Sequence, residues 1–384
     1  MSRIADLLDK AKADTGLEHF GEDTFREGLE IVVDSAEREG RMNENGRTGF
    51  YGIVNLLLTT RLQIEDWYRR HPEIDDEAVE QPLIVLGLPR TGSTATFCLL
   101  GEDPNVRFLR QWEGLFPVPP PEAATQFTDP RIAEMQKAMD YRNRVKPRMK
   151  QMVPSSATSP AEDQMPMAYD FKSQIFQASW RVPAYVEWLN YKADLEPTFR
   201  YLKRVMKFLQ WRCPPNRWRL KNPSHSAFID ALDKVFPDAR YAMTHRDVAD
   251  VIPSVADLYF ELHHINTDEP DKVWMGEIMT ECCELGMRRM IEFRDRGNED
   301  RFFDIHFAPF QKDPFPTMER LYAWLGEEYT SEARERMEMW RRNEPRGKHG
   351  SHDYDPADFG LDKRELRERF RFYSDRFDVP LGSD

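Results

Sequence analysis

The apolar and polar positions divide the chain into stretches of different period. Over residues 1–80 apolar positions recur at helical spacing, first at Ile4, Leu7 and Leu8, then at Ile53, Leu56, Leu57 and Leu62. Acids interrupt the first of these stretches, so Met1 to Lys10 reads as an amphipathic helix and not as a signal peptide, and the whole chain is expected to be the mature protein. The pattern then changes. Pro82-Leu83-Ile84-Val85-Leu86-Gly87 is a continuous apolar run, as a strand buried on both faces of a parallel sheet should be. A turn from Gly87 to Gly92 and a helix from Ser93 to Leu100 are expected after it. Pro117, Pro119, Pro120 and Pro121 make a break. Residues 130–212 read as mostly helical. Further strands are expected at Arg217 to Leu220, Ala239 to Thr244 and Phe302 to Ile305, with a helix from about Asp247 and a charged helix near Arg364 to Phe372. Strand–helix alternation with helical insertions predicts an α/β fold, a central parallel sheet covered by helices.

Composition narrows the class. The 384 residues carry 54 Lys+Arg against 67 Asp+Glu, a formal net charge of −13. The length suits a single elaborated α/β domain over 1–384 with a sizeable core. An acidic chain argues against nucleic acid as a partner, because neutralising phosphates needs a basic surface. It leaves room for a local basic pocket that takes a small anion. Cys98, Cys213, Cys282 and Cys283 have neither zinc-ligand spacing nor the density of a disulfide framework, so a reducing cytoplasm fits. Apolar runs such as Leu83 to Leu88 are too short for an integral membrane segment.

The sharpest local feature is Leu86-Gly87-Leu88-Pro89-Arg90-Thr91-Gly92-Ser93-Thr94. A buried strand, a Gly-bounded loop and a hydroxyl-rich helix start make an anion cradle, since backbone N–H groups and the helix dipole point at the ligand. The Gly87-to-Gly92 spacing matches GxxxxG, but the lysine of GxxxxGK[ST] is absent and Arg90, inside the loop, is the cation. Such an arginine can clamp a phosphate or sulfate without a metal. Read as structure alone, the segment is a tight strand–helix turn with a surface arginine.

Pro89-Arg90-Thr91-Gly92-Ser93-Thr94 resembles the 5′-phosphosulfate loop of sulfotransferases, which move a sulfuryl group from 3′-phosphoadenylyl sulfate (PAPS). Cytosolic members carry lysine at the Arg90 position; tyrosylprotein and many bacterial members carry arginine. Thr244-His245-Arg246-Asp247 follows an expected strand and opens a helix, with Ser254 eight residues after Arg246. This is similar to the family's 3′-phosphate site, in which an Arg and a Ser hold the dianion; as plain structure, Arg246 would pair with Asp247 or Asp250. Arg346-Gly347-Lys348-His349-Gly350 resembles, more loosely, the family segment that closes over the nucleotide.

The resemblance extends to the chemistry. Lys221-Asn222-Pro223-Ser224-His225 is similar to the Lys-x-Pro-x-His of bacterial members. It implies His225 as general base and Lys221 as the cation that stabilises the bridging oxygen or the sulfonate; the bland alternative has His225 capping a helix near Ser226. Glu113, downstream of the loop, is the competing base, by resemblance to tyrosylprotein-type members, or it orients Lys221 or Arg90. The aromatics Phe171, Phe176, Trp180, Tyr185, Trp188 and Tyr191 are either an apolar acceptor lid or ordinary helix core.

The family resemblance implies a P-loop-type three-layer sandwich. Within it, 1–80 would be N-terminal helices, 120–212 a helical acceptor-site insertion and 335–384 a segment closing over the nucleotide. The expected donor is PAPS, with PAP as product and no metal. The expected acceptor is a hydroxyl of a hydrophobic small molecule, such as a phenol, sterol or lipid alcohol. A P-loop small-molecule kinase and a non-catalytic nucleotide-binding protein are the alternatives. The N-terminal helices either cover the sheet or offer a homodimer surface.

Overall fold

The structure is a computed structural model that describes residues 3–153, 155–215, 217–345 and 354–382. Five strands, β1 (Leu83–Gly87), β2 (Arg107–Phe108), β3 (Trp218–Lys221), β4 (Arg240–His245) and β5 (Phe302–His306), form one sheet in the order β2-β3-β1-β4-β5. Every pairing is parallel. β1 lies at the centre, with Ile84 opposite Leu220 of β3 on one side and Tyr241 of β4 on the other. Four of the strands lie where the apolar runs put them, within a residue or so. β2, only two residues long, was not expected.

Alternation along β1 divides the core in two. Leu83 and Val85 face one layer with Ala242, Ile305, Met318, Leu321 and Met337. Ile84 and Leu86 face the other, with Val54, Leu57, Phe199, Leu209, Val251 and Met287. Helices Ser93–Leu100, Phe315–Leu325 and Ser331–Asn343 thus cover one side of the sheet. Helices Glu44–Arg70, Glu196–Gln210, Val248–His263 and Lys272–Phe293 cover the other. Each fully buried aliphatic side chain of β1 stabilises this sandwich by about 2 kcal/mol. The N-terminal helices therefore serve as sheet cover: Glu44–Arg70 is capped by the Asn43 side chain and buries Phe50, Val54, Leu57 and Leu58 at helical spacing.

The stretch 120–212 carries six helices, from Pro130–Val145 to Glu196–Gln210. Its aromatics do not act alike. Phe171, Phe176 and Tyr185 are wholly buried core, Trp180 and Trp188 nearly so, and only Tyr191 is exposed. The idea of an aromatic acceptor lid thus gives way to helix packing, because these rings pack against the N-terminal helices, as Trp180 does edge-on to Phe50. No described helix is long and apolar enough to cross a membrane.

Candidate active site

The site lies at the C-terminal ends of β1, β3 and β4, where open parallel sheets bind ligands. β1 ends at Gly87, whose φ of +116° and close approach to β4 exclude a side chain; a Cβ there would sit 2.6 Å from the Thr244 carbonyl oxygen. The loop then turns through Arg90, a non-glycine residue at φ +63°. Thr91 fastens it, donating to Leu88 O at 2.6 Å and sharing a 2.6 Å hydrogen bond with Thr244 of β4. Gly92 caps helix Ser93–Leu100 in the left-handed conformation, so the first N–H groups of that helix open towards the sheet end.

At one end of this loop two guanidinium groups meet. Arg90 Nε donates to Ser254 Oγ at 3.2 Å and its Nη1 to Met152 O at 2.9 Å. Arg246 donates to Arg90 O at 3.1 Å and to Asp250 at 3.2 Å, with its guanidinium 4.4 Å from the Phe307 ring centroid. Arg90 has no ion-pair carboxylate among the described residues. Burial first, then Arg246, lowers its pKa. Two cations and a hydroxyl this close, one of the cations in no direct ion pair among the described residues, form a site that favours an anion. Ser254 sits on helix Val248–His263, which starts at an Asp247 cap and runs through Pro253. On the same helix, Asp257 and Phe260 help line a cavity of about 400 Å³ that also takes in Arg148, Lys272, Tyr354, Phe359 and the acids Asp355 and Asp358.

At the other end is Lys221, the last residue of β3. Its Nζ donates to Thr94 Oγ1 at 3.2 Å and pairs with Glu162. Lys221 is buried, whereas the Glu162 side chain keeps 38% exposure. Glu162 thus combines contact with the Lys221 ammonium and access to solvent, and the sequence reading missed it. Its sequence signal is weak: an isolated acidic pair, Glu162-Asp163, in an irregular segment 59 residues before Lys221.

The two bases expected from the sequence are both buried. His225 is wholly buried, with Nε2 2.8 Å from Asp163 Oδ2 and its ring edge-on to Phe199 at 5.3 Å. Its Nδ1 has no hydrogen-bond partner among the described residues. Asp163 also accepts from Asn222 at 2.6 Å, so His225 belongs to a polar network beneath the Lys221 turn. Glu113 is likewise buried, and both its oxygens are taken: Arg107 donates at 2.7 and 3.0 Å, the Arg110 guanidinium at 3.0 Å and the Arg110 backbone N–H at 2.9 Å. Burial alone would raise its pKa, but Arg107 and Arg110 outweigh it and hold the carboxyl below its ordinary value. The expected contact of Glu113 with Lys221 or Arg90 is absent, because Glu162 holds Lys221 and the arginines of β2 and its following turn hold Glu113.

Pro89, Arg90, Thr91, Gly92, Ser93 and Thr94 form the loop, and Lys221, Arg246 and Ser254 surround it. Arg346, Gly347 and Lys348 lie outside the described residues. His245, beside Arg246, is buried between Asp304 at 2.7 Å and Tyr373 at 3.2 Å, and burial lowers its pKa. Among the described residues no cluster of His, Cys, Asp or Glu could hold a metal.

Known proteins share this architecture. Sulfotransferase STF9 from Mycobacterium avium superposes with a TM-score of 0.90 at 32% identity, covering 99% of this chain and 98% of that one. Sulfotransferase STF1 from Mycobacterium tuberculosis gives 0.85 at 26% identity, over 96% and 98% of the two chains. Omega-hydroxy-beta-dihydromenaquinone-9 sulfotransferases (Stf3) of Mycobacterium bovis and Mycobacterium tuberculosis are 29% identical over 150 residues. That match spans 38% of this chain and 39% of those relatives. The profile of the Sulfotransferase family matches residues 82–331, which hold the β1 loop, Lys221, Arg246 and Ser254. With so much of its length and its whole sheet end accounted for, the chain belongs to the sulfotransferase family.

Proposed function

We propose that this protein transfers the sulfuryl group of PAPS to a hydroxyl of a hydrophobic small molecule. The observation that carries this reading is the Arg90–Ser254–Arg246 cluster, with Arg90 in no direct ion pair among the described residues, one loop away from Lys221 and the start of helix Ser93–Leu100. Two separate cationic places around one loop suit a ligand with two anionic groups. The 3′-phosphate would meet the arginines and Ser254, and the phosphosulfate would meet the helix N–H groups, Thr94 and Lys221. Phe260, Tyr354 and Phe359, three of the residues lining the nearby cavity, offer rings against which an adenine could stack, and Asp257, Asp355 and Asp358 of the same lining offer acceptors for its amino group. An acceptor of lipid character is supported by the dihydromenaquinone substrate that the Stf3 relatives' name specifies.

In the transfer, the acceptor oxygen forms a bond to sulfur while the bond from sulfur to the bridging oxygen breaks, leaving PAP. Lys221 neutralises charge that develops on the bridging oxygen. The acceptor proton goes to Glu162, the partly solvent-exposed carboxylate beside Lys221. A second reading keeps His225 as base: Asp163 orients one ring nitrogen and the other has no hydrogen-bond partner among the described residues, as in a catalytic dyad. It requires the acceptor to reach a ring with no exposed surface.

Calorimetry with PAP, and separately with ATP and magnesium, tests the donor site. PAP is expected to bind without metal, and Arg246→Ala to weaken it by tenfold or more, roughly the 1.5–3 kcal/mol of a charged hydrogen bond. Tighter binding of ATP–magnesium would make the protein a kinase. With labelled PAPS and lipid alcohols as acceptors, Glu162→Gln is expected to lower kcat about a hundredfold or more with PAP affinity kept. A dead, folded His225→Asn beside an active Glu162→Gln would exchange the roles. PAP binding with no turnover on any acceptor would favour a non-catalytic nucleotide-binding protein.

A further inference from the structure

The segment 130–152 reverses the charge of the chain. It holds seven basic residues against two acidic, a net +5, so the remainder carries −18 of the overall −13. It forms helices Pro130–Val145 and Pro147–Met152. The first is a 16-residue helix that fully buries a single side chain, Met139, and leaves about half of its residues exposed. Tyr141 and Val145, 61% and 49% exposed, project from it one turn apart, with Ala138 the turn before. Lys137 and Arg144 flank them, the Arg144 guanidinium 5.4 Å from the Tyr141 ring centroid, and Lys150 follows in the next helix. None of these three cations has a carboxylate ion pair among the described residues. Their neighbours differ: Arg131 is paired with Asp129, Arg148 with Asp257 and Glu261, and Lys146 donates to Leu262 O.

Those internal ties also fix where the patch lies. Arg148 and Lys146 pack it against helix Val248–His263, which carries Ser254, and Met152 O accepts from Arg90. The segment that carries the charged, aromatic face therefore borders the anion site through its second helix.

We propose that this face docks the protein on an anionic lipid bilayer. A basic helix with an aromatic and an aliphatic side chain between its cations suits the headgroup boundary, where cations meet lipid phosphates and the apolar groups enter. The acidic remainder disfavours a nucleic-acid polymer, which would contact more of the surface. The inference does not rest on the acceptor's identity; it would let a membrane-dissolved substrate enter at the same edge.

Co-sedimentation with vesicles of phosphatidylcholine alone, and of phosphatidylcholine and phosphatidylglycerol in equal parts, tests it. Binding is expected to the anionic vesicles only and to fall with added salt. Neutralising Lys137, Arg144 and Lys150 together to Gln is expected to lower the partition coefficient about a hundredfold, since each cation near an anionic surface contributes about fivefold. Tyr141→Ser with Val145→Ser is expected to lower it several-fold. PAP affinity, measured in parallel, stays unchanged in all variants, so a failure of docking is distinct from a failure of the donor site. Absence of vesicle binding, equal binding to both vesicles, or charge-neutralised protein that binds as before would each overturn the proposal. So would capture of an acidic protein by this face without lipid binding.

Discussion

Arg107 is buried to its guanidinium, and Glu113 is the carboxylate that compensates its charge there. Removing one member of such a pair leaves an uncompensated charge in the core. Glu113→Ala is therefore expected to cost about 3–5 kcal/mol in urea unfolding, with sulfotransfer kcat little changed in the protein that remains folded. A selective loss of kcat at unchanged stability would return Glu113 to the chemistry. The same residue marks how far the sequence could be read. Lys221 and Arg246 were legible because each ends or follows an expected strand and stands in a motif that resembles one of the family's. Glu162 was not, because its role depends on a partner 59 residues away and on an irregular stretch without periodicity. Nor was the burial of His225, which follows from Asp163 and Phe199 closing over it.

Among the elements, strand β1 and the loop after it were the most readable, since a run buried on both faces followed by Gly, Arg and hydroxyl residues has few structural solutions. Strand β2 was invisible at two residues. The stretch 130–212 was correct in helical character, but its short helices and their aromatics could not be assigned to lid or core without knowing that the N-terminal helices pack on them. One contact between elements is unusually tight. Gly276, in helix Lys272–Phe293, lies so close to the segment after Asp355 that a Cβ would sit 2.1 Å from Phe359 O. Gly276→Ala must push that segment away. Faster proteolytic cleavage around Pro356–Phe359 is expected, with hydrogen-exchange protection of the sheet retained. Unchanged cleavage would mean that the helix absorbs the methyl group by shifting.

At the scale of the whole molecule, a buried histidine contributes to the acid response. His263 has its pKa lowered by burial from 6.5 to about 4, and its Nε2 donates to Gln177 O at 2.6 Å. Between those values the unfolded chain binds a proton that the folded one refuses. Stability therefore rises with pH through this window and is lost as pH falls from 6.5 towards 4. A loss of about 2 kcal/mol is expected between pH 7 and pH 5, measured by urea unfolding at each pH. His263→Gln should flatten that slope; an unaltered slope would assign it to other groups.

The central position of β1 also affects how the chain is made. Its neighbours β3 and β4 start about 130 and 150 residues later. At ribosomal speeds of about 5–20 residues per second, β1 waits roughly 7–26 s before its first partner is synthesised. During that interval Leu83, Ile84, Val85 and Leu86 have no sheet to join. The strand that anchors the site is thus, for a nascent chain, the segment most in need of a chaperone.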